Sequence, residues 1–272
     1  MTSYPLWLHI LSCACLSLSF ASAVFIILDE IRRPQQMIIM SFVWPVTALY
    51  FGPVALCGYL KSGLKMTKLQ MQQMESEVRA ELDAERKPDG ATICAPRRLY
   101  ERKPSVEQTA VGVSHCGAGC TLGDIGAEWW VCVTGLQFAG GVFQTRILLD
   151  FLLAWAFGVF FQYFTIAPMR GLSFGKGIVQ AIRVDTLSIV AFQIGMSAWM
   201  ALTYFILFPR PPLRPDEAVF WFMMQIAMIV GFVASYPANR FLLSTGWKEK
   251  MPQYRDELKR RMLEQHCRSR AA

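Results

Sequence analysis

The chain has 272 residues, of which 54% are hydrophobic and 17% charged, with a net charge of +7. A soluble domain carries nearer a quarter charged residues, and here the charges are segregated: 18 of them fall in the 48 residues 61–108. This excludes an ordinary soluble globule, a disordered chain and a disulfide-knit secreted domain, and it points to an all-α polytopic membrane protein.

A bilayer core needs about 20 apolar residues in a helix, because each backbone amide must be bonded internally. Six stretches qualify in chain order: 6–28, 37–60, 114–138, 147–167, 183–208 and 218–236. The first is stopped by Asp29, Glu30, Arg32 and Arg33. Ala21-Ser22-Ala23 has the form of a cleavage site, but no basic residue precedes the run, which favours a retained anchor. The second holds Pro45 and Pro53, where kinks are expected. The fourth ends at Pro168, the fifth at Pro209 and the sixth at Pro237.

Six spans put alternate loops on one side, where lysine and arginine should collect. With the N-terminus inside, the inner segments 1–5, 61–113, 168–182 and 237–272 hold 21 basic residues, and the outer segments hold five. The expectation is therefore six transmembrane helices with N- and C-termini cytoplasmic, in the cytoplasmic membrane. The chain divides into a two-helix segment 1–60, a charged cytoplasmic loop 61–108, a four-helix membrane domain 109–246 and a basic tail 247–272. The positive charge is explained by inner loops beside anionic lipid, and no nucleic-acid motif is present.

Within the loop, Met71, Met74, Val78 and Leu82 recur at spacings of 3, 4 and 4, the mark of an amphipathic helix. Pro88-Asp89-Gly90 ends it, and 88–108 has the composition of a linker. In the tail, Tyr254, Leu258 and Met262 are flanked by Arg255, Lys259, Arg260 and Arg261, which suits a helix on the inner leaflet.

The segment richest in chemistry opens the third span. Ser114 is a candidate N-cap, which would set the positive end of the helix beside Cys116 and favour its thiolate. Cys116, Cys120, Asp124 and Glu128 follow at intervals of four and trace a stripe about 18 Å long. Two thiols one turn apart can share a soft ion, Cu(I) or Zn(II), with His115 as auxiliary ligand. Asp124, Glu128, Asp150 and Asp185 are candidates for relay or counter-charge. Met196, Met200, Met224 and Met228 form two thioether pairs that suit a Cu(I) path. Structural readings stay open beside these. Gly117, Gly119, Gly123 and Gly126 suit close helix packing, Arg146, Arg170 or Arg183 can hold the acids, and Gln193 and Gln225 can bond between helices. Cys13, Cys15, Cys57 and Cys132 lie in spans and Cys94 and Cys267 in cytoplasmic segments, so no disulfide is expected.

The strings Ser114–Asp124 (SHCGAGCTLGD), 150–171 (DFLLAWAFGVFFQYFTIAPMRG), 185–188 (DTLS), 220–229 (FWFMMQIAMI) and 235–237 (SYP) resemble the polytopic membrane family catalogued as domain of unknown function 4396. The resemblance covers roughly residues 110–250. It implies a membrane fold and, because its members are often His-rich before the Ser-His-Cys motif, metal handling; in this chain 61–114 contain no histidine. The leading expectation is binding or transport of a soft cation. A membrane scaffold or assembly factor, as a homo-oligomer or with a membrane partner, is the alternative, and a membrane thiol oxidoreductase a third. No P-loop, nucleophile elbow, dinucleotide fingerprint or HExxH helix is present, so no catalytic residue is assigned.

Overall fold

The computed structural model describes residues 4–84, 104–138, 140–170, 173–210 and 213–248, together with 255, 258, 259, 262 and 263 of the tail; the side chains of 166–170 are outside the description. Residues 88–103 of the expected linker 88–108, with Cys94, Tyr254, His266 and Cys267, lie outside the described residues, whereas its last residues, 106–108, begin a helix. Among the described residues the fold is helical without strands. Its elements are α1 (Leu6–Arg32), α2 (Met40–Phe51), α3 (Pro53–Gly58), α4 (Lys68–Ala84), α5 (Val106–Thr134), α6 (Val142–Arg170), α7 (Phe174–Leu202) and α8 (Ala218–Ser244).

Among the described residues, four helices are long and apolar enough to cross a membrane: α1, the Val142–Thr165 part of α6, α7 with its π-helical extension to Leu207, and α8. α5 is as long, at 29 residues, but is not among them. It is the centre of the bundle. Nearly every residue from Thr109 to Glu128 is buried, so its polar groups face protein rather than the surroundings.

The long helices define two ends. At one, here the tail end, the Ser62 hydroxyl donates to Glu107 at the start of α5, the Tyr59 hydroxyl donates to Asp29 at the end of α1, and Lys248, just past α8, reaches the Gly112 carbonyl. At the other, the head end, Tyr4 packs edge-on against Phe208, and Trp129 near the end of α5 stacks on Trp221 near the start of α8. Tyr4 therefore lies at the head end and Lys248 at the tail end.

The reason is the second apolar stretch. It is not one helix. α2 leaves the tail end and runs to Gly52, whose φ of +53° stops the helix. α3 starts with Pro53 and runs back, so that Tyr59 lies 5.8 Å from Trp44 and Gly63 comes against the same indole. The tip reaches the middle of α1: a Cβ on Gly52 would fall 2.9 Å from Ser19 Oγ. With 12 residues, α2 extends about 18 Å. The chain turns back at Pro53 where a kink was expected.

The reversal leaves a carbonyl without its partner. Leu49 would accept from the amide four residues on, but that residue is Pro53, which has none. Gln225 of α8 supplies the donor: its Nε2 lies 2.6 Å from Leu49 O and 3.0 Å from Ser19 Oγ. One side chain thus joins α1, the hairpin tip and α8.

Small residues bring the remaining helices together. A Cβ on Gly119 would fall 2.7 Å from the Gly158 backbone, and one on Gly123 would strike the Ala154 backbone, so α5 and α6 pack in backbone contact. α7 and α8 meet likewise, with Gly195 against Gly231 and Ala234. α6 and α8 continue past Pro168 and Pro237, where the spans were expected to end. α4 has the expected amphipathic form, with Met71 and Val78 buried. Its Glu77 and Glu81 pair with Arg255 and Lys259 of the tail, so the tail binds α4.

Two outcomes test this fold. Gln225→Leu leaves the Leu49 carbonyl bare and should lower stability in detergent by about 1 to 3 kcal/mol, read from thermal unfolding. The Glu81 carboxyl is pulled from 4.5 to about 2, first by the Lys259 hydrogen bond and then by that of Arg255. A depressed acid favours the paired state above its ordinary value and loses that advantage as pH falls through the lowered one. The distance between spin labels at Ser76 and Met262 should stay short at neutral pH, lengthen as pH falls from 4.5 toward about 2, and lengthen in high salt.

Candidate functional site: a polar file along the central helix

α5 is capped nine residues before the expected position. Ser105 is the N-cap, and with Gln108 it forms a reciprocal capping box, each side chain bonding the other's backbone amide. Ser114 is buried within the helix. Cys116 lies ten residues beyond Val106, about 15 Å along the axis, beyond the first turn in which a helix terminus acts. The expected thiolate assistance from that terminus therefore lapses.

From the tail end, the file opens on Lys248. Its ammonium is buried and donates to Asn239 Oδ1 at 2.8 Å, Asp185 Oδ1 at 3.0 Å and the Gly112 carbonyl at 3.3 Å. Three donors thus meet three acceptors from α8, α7 and α5. Asn239 is held in turn by Ser235. Lys248 is the residue that sequence reasoning missed, since it was read as part of a surface tail.

The next level holds His115 and the thiols. His115 Nε2 lies 2.6 Å from Thr165 Oγ1, and its ring lies edge-on to Phe161, both of α6. Adjacent residues on a helix point about 100° apart, so His115 does not join the thiols. Cys116 and Cys120 are both fully buried, one helical turn apart. They pack in one cluster with Tyr50, Phe192 and Ile189. Tyr50, two residues before the hairpin tip, sets its hydroxyl against Gly117.

Toward the head end, Asp124 accepts from Gln193 Nε2 at 2.9 Å. Glu128 is ion-paired with Arg146 at 3.2 Å, and the guanidinium also lies over the Phe220 ring. Asp150 is buried close by in α6, two turns past its start at Val142. Arg183 is exposed and holds none of these acids. The structure therefore brings Cys116, Cys120, Asp124, Glu128 and Asp150 along one buried line, and ties Asp185 to Lys248. The methionines divide: Met196 and Met200 line a small void with Glu128, whereas Met224 and Met228 line a wider apolar cavity with Ser19 and Gln225. Among the described residues, no three His, Cys, Asp or Glu side chains converge as a metal-holding group.

Lys248 and Asp185 form a pair whose members depend on one another. Lys248→Met strands a buried carboxylate and should cost about 3 to 5 kcal/mol. Adding Asp185→Asn should recover most of that loss, as measured by unfolding in detergent.

Searches of the curated proteins and of the solved structures found no significant match. The family model described as Domain of unknown function (DUF4396) matches residues 106–248. That segment starts with the first residue of α5, ends on Lys248 and contains the whole polar file. Covering more than half of the chain, the match shows that the protein belongs to the DUF4396 family.

Proposed function

We propose that the protein is a multi-pass protein of the cytoplasmic membrane that binds or moves a soft cation along α5. The observation that supports this most directly is the buried line itself: Cys116 and Cys120 lie one turn apart on α5, with Asp124 and Glu128 continuing their stripe. With His115 committed to Thr165, the donor set is two thiols. A two-thiol site suits Cu(I) better than Zn(II), which takes three or four protein ligands.

The contacts also favour a topology of five traverses, α1 and α5 to α8, with α2 and α3 as a re-entrant hairpin. Non-helical backbone at that depth is tolerated where protein encloses it, as α1 and α8 do at Gly52 and Leu49. This arrangement sharpens the charge asymmetry. Of the 27 lysines and arginines, 23 belong to segments joined at the tail end. Arg146, Arg210 and Arg214 belong to the head end, and Arg183 lies within α7. The tail end is then cytoplasmic and the N-terminus external.

A non-transporting scaffold is the second reading, favoured by the closed ion pairs of Lys248 with Asp185 and Arg146 with Glu128. Metal analysis separates the two. Protein purified from copper-supplemented cells under reducing conditions should carry about one copper per chain, held by two thiolates. The Cys116→Ala/Cys120→Ala variant should carry none. Equal copper in both, or none in either, contradicts the soft-cation reading.

A further inference from the structure

The hairpin that turns back at Gly52 leaves space beyond its tip. α1 packs on α2, α3 and α8, and α5 packs on α2, α6, α7 and α8. α2 stands between α1 and α5, and it ends at Phe51. On the head-end side of that tip a cavity of about 470 Å³ remains. Its floor is Tyr50, its sides are Phe20 of α1 and Ile125 of α5, and Trp221 and Met228 of α8 back it. Phe20 and Ser17, both in the lining, are exposed on α1. The cavity therefore opens sideways at α1, on the apolar flank of the bundle. Small-molecule sites have this character: about 300 to 1,000 Å³, mostly apolar, with a few placed polar groups.

Three lining side chains near the tip keep hydrogen-bonding capacity to spare. Ser12 and Ser22 each donate to a carbonyl one turn back, whereas Ser19 accepts from Gln225 and donates to nothing among the described residues. The Tyr50 hydroxyl is buried and has no partner. Gln225 commits its amide nitrogen to Leu49 and Ser19, which leaves its amide oxygen. The floor thus offers two hydroxyl donors and one carbonyl acceptor.

This lining selects its guest. It includes no Asp, Glu, Lys, Arg or His among the described residues, so a charged headgroup would be buried unpaired. A bare hydrocarbon chain would leave the polar groups of the floor unsatisfied. What fits is an uncharged, lipid-soluble molecule with a carbonyl on its inserted end. The rings of Phe20, Tyr50 and Trp221 suit a flat guest. A quinone combines a flat ring, carbonyl acceptors and an apolar tail.

We propose that this cavity binds the ring of one lipid-soluble quinone, admitted sideways from the bilayer, with the Ser19 and Tyr50 hydroxyls donating to a ring carbonyl. The tail leaves past Ser17 and Phe20 into lipid. The inference goes beyond the soft-cation reading and does not depend on the thiol pair.

The test is native mass spectrometry of the detergent-purified protein with a decyl-substituted benzoquinone, and with decylbenzene as the control that keeps ring and chain but lacks carbonyls. One quinone per chain is expected, with little decylbenzene bound. Tyr50→Phe removes one hydroxyl and should weaken quinone binding about tenfold. Ser17→Trp, at an exposed position of the mouth, should block it. Cys116→Ala/Cys120→Ala should bind quinone as the wild type does, whatever its copper content. No quinone on the wild-type protein overturns the proposal, as does equal binding of decylbenzene or undiminished binding by Ser17→Trp. Should Tyr50→Phe fail to fold, the decylbenzene control and Ser17→Trp decide.

Discussion

A polar group shut away from water must find its partner within the chain, and that constraint shapes this molecule more than its apolar surface does. The Leu49 carbonyl loses its helical donor at Pro53 and is met by Gln225 from a helix 176 positions later in sequence. The Lys248 ammonium, past the end of α8, turns inward to three acceptors. The Arg146 guanidinium sits over an aromatic ring against Glu128. Each is a long-range tie, and together they hold the N-terminal hairpin, the central helix and the exit of α8 in register.

The glycines make these ties reachable. α5 and α6 approach to backbone contact at Gly119, Gly123 and Gly158, which leaves no room for bulky apolar side chains between them. That closeness lets a helix bearing two thiols and two carboxyls stay dry at the centre of the bundle. The family segment supplies the ionic file entire, whereas the N-terminal helices cover it: Tyr50 closes on Gly117, and Ser19 backs the hairpin tip. The segment 106–248 thus holds the buried polar file, and the segment before it encloses that file.

Much of this was legible in sequence, since four spans follow from apolar length and α4 from its spacing. Bonding between helices was one of two readings left open for both glutamines, and both do bond between helices. The hairpin was not legible from hydropathy, because an apolar stretch has the same composition whether it crosses or returns. The signal present was Gly52-Pro53, a turn-forming dipeptide read as a kink. Ser114 was read as the cap, and Ser105 with Gln108 three residues later, the fuller capping signature, went unrecognised. His115 adjoins Cys116 in sequence but diverges around the helix. Lys248 carried no local signal, since nothing near it announces that a lysine following Trp247 will fold back onto α7.

The proposed topology has the chain cross an odd number of times, because α2 and α3 return to the side from which they entered. Impermeant labelling of tags at the two termini in intact and permeabilised cells tests it most directly. The account predicts that an N-terminal tag is labelled in intact cells and a C-terminal tag only after permeabilisation. Protection of both tags in intact cells would contradict it.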